Sequence, residues 1–199
     1  MTTDQFTGKY ESSGRIGGWL IDRFFRAARG LLESKLSENS GVLEIGCGPG
    51  YSTGRIRQWQ GIGQLVAGEP EAQLLKIAQP LNPGTPFTRQ SVYSLAHPDQ
   101  SFDAVIMLEV LEHLESPDRA LEELHRVARN HVLLSTPREP IWRALNMARG
   151  KYLRDFGNTP GHIQHWSTRG LRKQVQPWFH VEDCATPLPW TILLLRPRR

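Results

Sequence analysis

Cysteine is nearly absent from this sequence: Cys47 and Cys184 are the only two among 199 residues. That scarcity argues against a disulfide framework and makes a reducing, cytoplasmic setting the expectation. No run of eighteen apolar residues occurs, so no transmembrane helix is expected. The opening stretch, MTTDQFTGKYESSG, has no basic segment followed by an apolar one, which argues against a secretory signal. Internal repeats and low-complexity tracts are missing too, and a 22% charged, 39% apolar composition is that of a folded domain rather than a disordered one. The length suits one domain with a real hydrophobic core.

Charge is sparse overall but unevenly placed. The chain carries a formal +4, yet residues 138–173 hold eight basic side chains (Arg138, Arg143, Arg149, Lys151, Arg154, Arg169, Arg172, Lys173) against Glu139 and Asp155. That segment is therefore +6 and the remainder −2. A basic segment of this kind is either a solvated helix face or an attractor of phosphates, nucleic acid or an anionic membrane surface.

The stretch Val42-Leu43-Glu44-Ile45-Gly46-Cys47-Gly48-Pro49-Gly50 is what stands out. A buried parallel strand runs into three glycines and then a helix, the pattern of a turn that must bring its backbone close to a ligand. The order of elements around it is regular. A helix from Gly17 to about Leu36 precedes the strand Gly41–Ile45, and Ser52 or Thr53 caps a helix running through Trp59. Gln64–Gly68 is a second strand, followed by a helix over Glu71–Ala78; Phe87–Gln90 and Phe102–Met107 are the third and fourth strands. Ser116 caps a helix with Pro117 in its first turn, and His131–Ser135 is the fifth strand. Trp178–Cys184 and Trp190–Leu195 are joined by too short a link for a crossover helix, so they pair antiparallel. The expectation is an α/β fold: a doubly wound, seven-stranded, mostly parallel sheet with an antiparallel last strand forming one reversed edge. Residues 1–39 are read as an N-terminal cap region, 40–136 as the core, 137–175 as an insertion and 176–199 as the closing hairpin.

In such sheets ligands bind beyond the carboxyl ends of the strands, where strand order reverses. Glu69 lies there, nineteen residues past Gly50, placed to accept both hydrogen bonds of a ribose diol. VLEIGCGPG, the acid in AGEP, SFDAVIMLEVLEHL and the closing hairpin together resemble a class I S-adenosylmethionine-dependent methyltransferase of the ubiquinone-type, small-molecule branch. The resemblance covers about Ser40 to Leu195. It implies S-adenosylmethionine as cofactor, with Gly46, Cys47, Gly48 and Gly50 along its methionine and ribose portions. Glu44 would orient the amino group or the turn, Glu69 would hold the ribose hydroxyls, and Pro70, Ser91 and Val92 would meet the adenine. Gln90-Ser91 departs from the acid common in relatives, so Gln90, backbone or water would bind the adenine amino group. Leu108 and Glu109 would border the sulfonium.

His113, following the fourth strand's tip, is the candidate general base for a hydroxyl acceptor, against the plainer reading of a histidine bonded to backbone. Glu109, Glu112, His113 and the distant His165 have the chemistry of a Mg²⁺ or Mn²⁺ site. The pattern resembles the metal site of small-RNA 3′-end 2′-O-methyltransferases; relatives also carry it without metal. On the acceptor side, a helix over Pro140–Phe156 would put Ile141, Leu145, Ala148, Tyr152 and Phe156 on one stripe, with Arg149 intruding. It reads as a packed helix, a lid or a peripheral membrane contact. Trp142, His162 and His165 are the candidate substrate-binding residues. The reaction expected is methyl transfer to a small-molecule hydroxyl. The alternatives are a metal-assisted 2′-O-methyltransferase acting on RNA, which lacks a recognised binding platform in this chain, and a non-catalytic cofactor-binding subunit.

Overall fold

Each central strand is apolar on both faces, and that alternation organises the whole molecule. In the computed structural model, which describes residues 15–199, the strands are β1 (Ser40–Ile45), β2 (Ile62–Gly68), β3 (Phe87–Thr88), β4 (Phe102–Leu108), β5 (Ala128–Pro137), β6 (Phe179–Ala185) and β7 (Trp190–Pro197). Along β1, β4, β5 and β7, successive side chains go to opposite layers. Leu43, Ile45, Val105, Met107, Val132, Leu134, Leu193 and Leu195 enter one core. Val42, Ala104, Ile106, Leu133, Ile192 and Leu194 enter the other. Burial on both faces is what removes polar alternation from these strands.

The helices are α1 (Arg15–Leu32), α2 (Tyr51–Ile56), α3 (Ala72–Leu81), α4 (Pro117–Val127), α5 (Ile141–Ala148) and α6 (Thr168–Val175). Helix α1 buries Phe24, Ala28, Leu31 and Leu32, a stripe at helical spacing, and Phe24 meets the Trp190 ring at 5.0 Å. On the other layer α4 buries Ala120, Leu121, Leu124 and Val127. The absence of a secretory signal, read from residues 1–14, lies outside the described residues. No helix among the described residues is long and apolar enough to cross a membrane.

Strand order is β3-β2-β1-β4-β5-β7-β6, so the order reverses between β1 and β4. The carboxyl ends of these two strands carry the glycine turn and Glu109, at the switch point where such sheets bind ligands. The doubly wound reading is correct, with one change. The reversed strand β7 is not at the edge: it pairs antiparallel with both β5 and β6, and β6 forms the border.

Two local expectations also change. Ser52 and Thr53 do not cap α2; Gly50, in the left-handed region, occupies the cap position. Ser116 stands at the cap position of α4, but its side chain makes no capping hydrogen bond.

Candidate active site

Positive φ at Gly46 (76°), Gly48 (53°) and Gly50 (84°) turns the chain from β1 into α2. Two of these glycines are required by the protein's own packing. A Cβ on Gly46 would stand 2.3 Å from Val110 Cγ2, and one on Gly50 would stand 2.6 Å from Asn82 Nδ2. Asn82, which no motif marked, also donates to the Gly50 carbonyl at 2.9 Å. Cys47 is buried, and burial, reinforced by the Glu44 and Glu69 charges, pushes its thiol far up. Its side chain is structural; its backbone N–H donates to the Gly68 carbonyl.

Glu69 is buried at the end of β2, with each oxygen already engaged once. Oε2 accepts from the Gly48 N–H at 3.0 Å and Oε1 from the Glu71 N–H at 3.1 Å. Burial raises its pKa, while these two backbone donors oppose the rise. A carboxylate so fixed ties the glycine turn to β2 and retains acceptor capacity on both oxygens.

Glu44 serves the turn from beneath. Its oxygens accept from Ser52 Oγ at 2.5 Å and Thr53 Oγ1 at 2.6 Å. The two hydroxyls expected to cap α2 anchor its first turn to β1 instead. Burial lifts the Glu44 pKa from 4.5 to about 6, against the pull of both hydroxyls. A raised acid favours the folded state below its unfolded pKa and loses that contribution as pH climbs through the folded one. The loss is about 2 kcal/mol, at about 1.4 kcal/mol per pH unit. Glu44→Gln cannot ionise, so its stability relative to the parent should rise by about 1.5 kcal/mol between pH 4.5 and pH 7. Denaturant titrations at the two pH values test this; a difference that stays constant would contradict it.

Toward the expected adenine end, Pro70 and Ser91 are exposed, and the Val92 side chain lies in the core, which leaves its backbone as what it can offer a base. Gln90 is buried, with Nε2 held by Thr88 Oγ1 at 2.8 Å and His97 Nε2 at 3.2 Å. Its carbonyl oxygen is buried without a hydrogen-bond partner among the described residues.

At the β4 tip, next to the half-buried Leu108, Glu109 adopts φ 58°, a strained value for a residue with a side chain. Ser135 Oγ donates to its Oε1 and Trp190 Nε1 to its Oε2, both at 2.8 Å. Trp190 begins a wall that no motif announced. Its ring is 6.0 Å from Trp142, Trp142 is 5.9 Å from His162, and His162 is 4.8 Å from His113. Trp142 and His162, expected on the acceptor side, therefore stand together and are buried. His165 is exposed, its Nε2 2.7 Å from Asn158 Oδ1, and does not join them.

His113 Nδ1 lies 2.8 Å from the Gly161 carbonyl, which can only accept, so that nitrogen carries the proton. The plainer reading of His113 thus holds for Nδ1. Nε2, 3.8 Å from Glu112 Oε1, is too far from it for a hydrogen bond. Potential ligand atoms of Glu112, His113 and His162 all lie within 4.8 Å of one another. No metal site was assigned from sequence, where Glu109, Glu112, His113 and His165 were the residues with that chemistry; the carboxylate–imidazole cluster has His162 in place of His165 and omits Glu109.

The acceptor-side helix is shorter than expected and turned. Helix α5 ends at Ala148, where Lys151 N–H reaches the Asn146 carbonyl and Gly150 N–H the Met147 carbonyl around Gly150 at φ 69°, a glycine-terminated cap. Trp142 and Asn146 face inward, one residue off the predicted Ile141–Leu145 stripe. Trp142 Nε1 bonds Thr159 Oγ1, and Asn146 Nδ2 bonds the Gly157 carbonyl. Arg149, which intruded on that stripe, is exposed and donates to Asn146 Oδ1. Glu139, another residue without a sequence signal, follows β5 half-buried. Burial raises its pKa against the Arg143 N–H and His165.

Residues 43–135 match a methyltransferase domain family. An uncharacterized methyltransferase of Schizosaccharomyces pombe is 34% identical over 100 residues, 44% of this chain and 36% of the relative. The mitochondrial ubiquinone biosynthesis O-methyltransferase of Dictyostelium discoideum is 24% identical over 165 residues, 74% of this chain and 50% of the relative. The chain thus spans between about a third and a half of the length of the curated relatives it matches. Among solved structures, a chain from the complex between the Haloferax volcanii Trm112 methyltransferase activator and a methyltransferase superimposes with a TM-score of 0.74 at 15% identity, covering 100% of both chains. Residues 43–135 thus match a methyltransferase domain, and the reversed penultimate strand of the sheet, the glycine turn and the acid at the β2 tip sit in a fold shared with solved methyltransferase structures.

Proposed function

We propose that this chain binds S-adenosylmethionine across the β1/β4 crevice and transfers its methyl group to a small-molecule acceptor, at a hydroxyl oxygen. The observation that carries the reading is the buried Glu69 carboxylate, tied to the Gly48 N–H with acceptor capacity to spare for a ribose diol. Gln90 Oε1, buried and without a hydrogen-bond partner among the described residues, suits the adenine amino group. Glu109, held by Ser135 and Trp190, sets a fixed negative charge at the strand tip where a positive sulfonium would sit. When bound, the sulfonium supplies an activated methyl carbon, whose bond to sulfur breaks with the electron pair kept by sulfur as the acceptor oxygen bonds to it. The wall from Trp190 to His162 orients the acceptor and excludes water. Positioning of that kind supplies roughly 7–11 kcal/mol of barrier in well-oriented reactions. His113 Nε2 receives the acceptor's proton while Gly161 holds the ring through Nδ1.

The test is transfer of an isotopically labelled methyl group to a panel of paired hydroxyl and amino compounds. Label recovered as methyl ether supports the reading. Label on the amines alone would overturn the choice of oxygen.

A second reading is favoured by the Glu112–His113–His162 cluster. Two imidazoles and a carboxylate suit a divalent first-row metal better than Mg²⁺, which prefers oxygen ligands. A metal held by these residues would lower the pKa of an acceptor hydroxyl. The two readings differ in a direct measurement. If the cluster holds metal, elemental analysis after dialysis against Mn²⁺ or Zn²⁺ finds it in the parent and in His165→Ala, and not in His162→Ala. Equal metal in all three would reject the cluster as the site.

A further inference from the structure

Eight large apolar side chains are exposed among the described residues, and five of them (Met147, Tyr152, Leu153, Phe156, Ile163) fall between positions 147 and 163. Phe156 is 71% exposed, Leu153 60% and Ile163 52%. The stretch 151–156 is exposed at every residue. A segment this apolar would turn inward if it were free to do so, and its inner side shows why it does not. Trp142, Asn146 and Thr159 lock α5 to the returning chain, and Arg143 Nε donates to the Phe156 carbonyl at 3.0 Å. Gly157 packs so closely that a Cβ there would lie 2.2 Å from the Arg143 carbonyl oxygen. Tyr152 and Phe156 are held at φ 54° and 50°, a left-handed backbone that bulky residues seldom adopt. A fixed inner scaffold thus holds apolar side chains toward solvent, and exposed apolar surface gathered in one segment marks a contact site.

We propose that this surface, residues 147–163, docks the protein on an anionic lipid membrane. Arg149, Lys151 and Arg154 interleave with the apolar side chains, and Asp155 is the one acid among them. A second copy of the chain would bring cations against cations, whereas anionic headgroups complement them while the apolar side chains enter the acyl boundary. Tyr152 suits the headgroup level, with an apolar ring and a polar tip. The surface adjoins the candidate active site, since Ile163 N–H donates to the Glu112 carbonyl and Gly161 holds His113. The contact does not depend on the methyl-transfer reading, because membrane binding is measured without cofactor or acceptor.

The experiment is co-sedimentation of the full chain with phosphatidylglycerol-containing vesicles and with phosphatidylcholine vesicles, over a range of salt. The chain is expected on the anionic vesicles, with partitioning that weakens as salt rises. Leu153→Ser/Phe156→Ser and Lys151→Glu/Arg154→Glu should each lower that partitioning at least tenfold while keeping the parent's thermal midpoint and S-adenosylhomocysteine affinity. The exposed charge pair provides a second variant should the serine pair fold poorly. Equal binding by parent and both variants, or failure of the parent to bind, would overturn the proposal. So would a concentration-dependent dimer abolished by the serine pair, which would assign the surface to self-association.

Discussion

Glu69→Ala is expected to weaken S-adenosylhomocysteine binding at least about a hundredfold by titration calorimetry. A hydrogen bond to a charged group contributes about 1.5–3 kcal/mol, so the loss of two ribose contacts exceeds that factor even at the low end. The variant also leaves the Gly48 N–H without its acceptor, which loosens the glycine turn itself. Glu69→Gln separates these effects: it keeps an acceptor oxygen for Gly48 and loses the charge, so its affinity should fall between parent and alanine. Because burial raises the Glu69 pKa, binding should weaken on acidification before an exposed glutamate would protonate. Unchanged affinity in the alanine variant would remove Glu69 from the ribose site.

The second large effect is on folding. Gly46→Ala places a Cβ at φ 76° and 2.3 Å from Val110 Cγ2. Backbone strain costs about 1–3 kcal/mol and overpacking a further 1–3, together a large share of the 5–15 kcal/mol by which domains are stable. Val110→Ala removes the clashing methyls but not the strained φ. The double variant should therefore recover only the steric part, giving a favourable coupling of about 1–3 kcal/mol in a double-mutant cycle. Additive single effects, read by denaturant unfolding of the four proteins, would mean that Val110 is not the obstacle at Gly46.

The β1–β4 half of the fold was legible in the sequence because its signals are local. Doubly buried strands read as apolar runs, the glycines mark the turn, and Glu69 closes β2. The acceptor half was not, because its geometry is decided by residues distant in sequence. Periodicity put Ile141 and Leu145 inward, whereas Asn146, polar by any scale, is buried because its amide bonds the Gly157 carbonyl. Gly150 stood inside an amphipathic pattern and became a helix end. Nothing in Gly-His-Ile-Gln-His distinguishes His162 from His165; the Glu112 carbonyl, receiving the Ile163 and Gln164 N–H groups, fixes the loop beside the cluster. Trp190 donates to Glu109 across 81 positions of sequence, beyond the reach of any local pattern.

The central claim is that Glu69 and the glycine turn cradle S-adenosylmethionine. A crystal structure with S-adenosylhomocysteine tests it most directly. Both ribose hydroxyls within hydrogen-bonding distance of the Glu69 carboxylate, with sulfur beside Glu109, is the predicted result. A ligand bound outside the β1/β4 crevice, or with its ribose turned from Glu69, would contradict it.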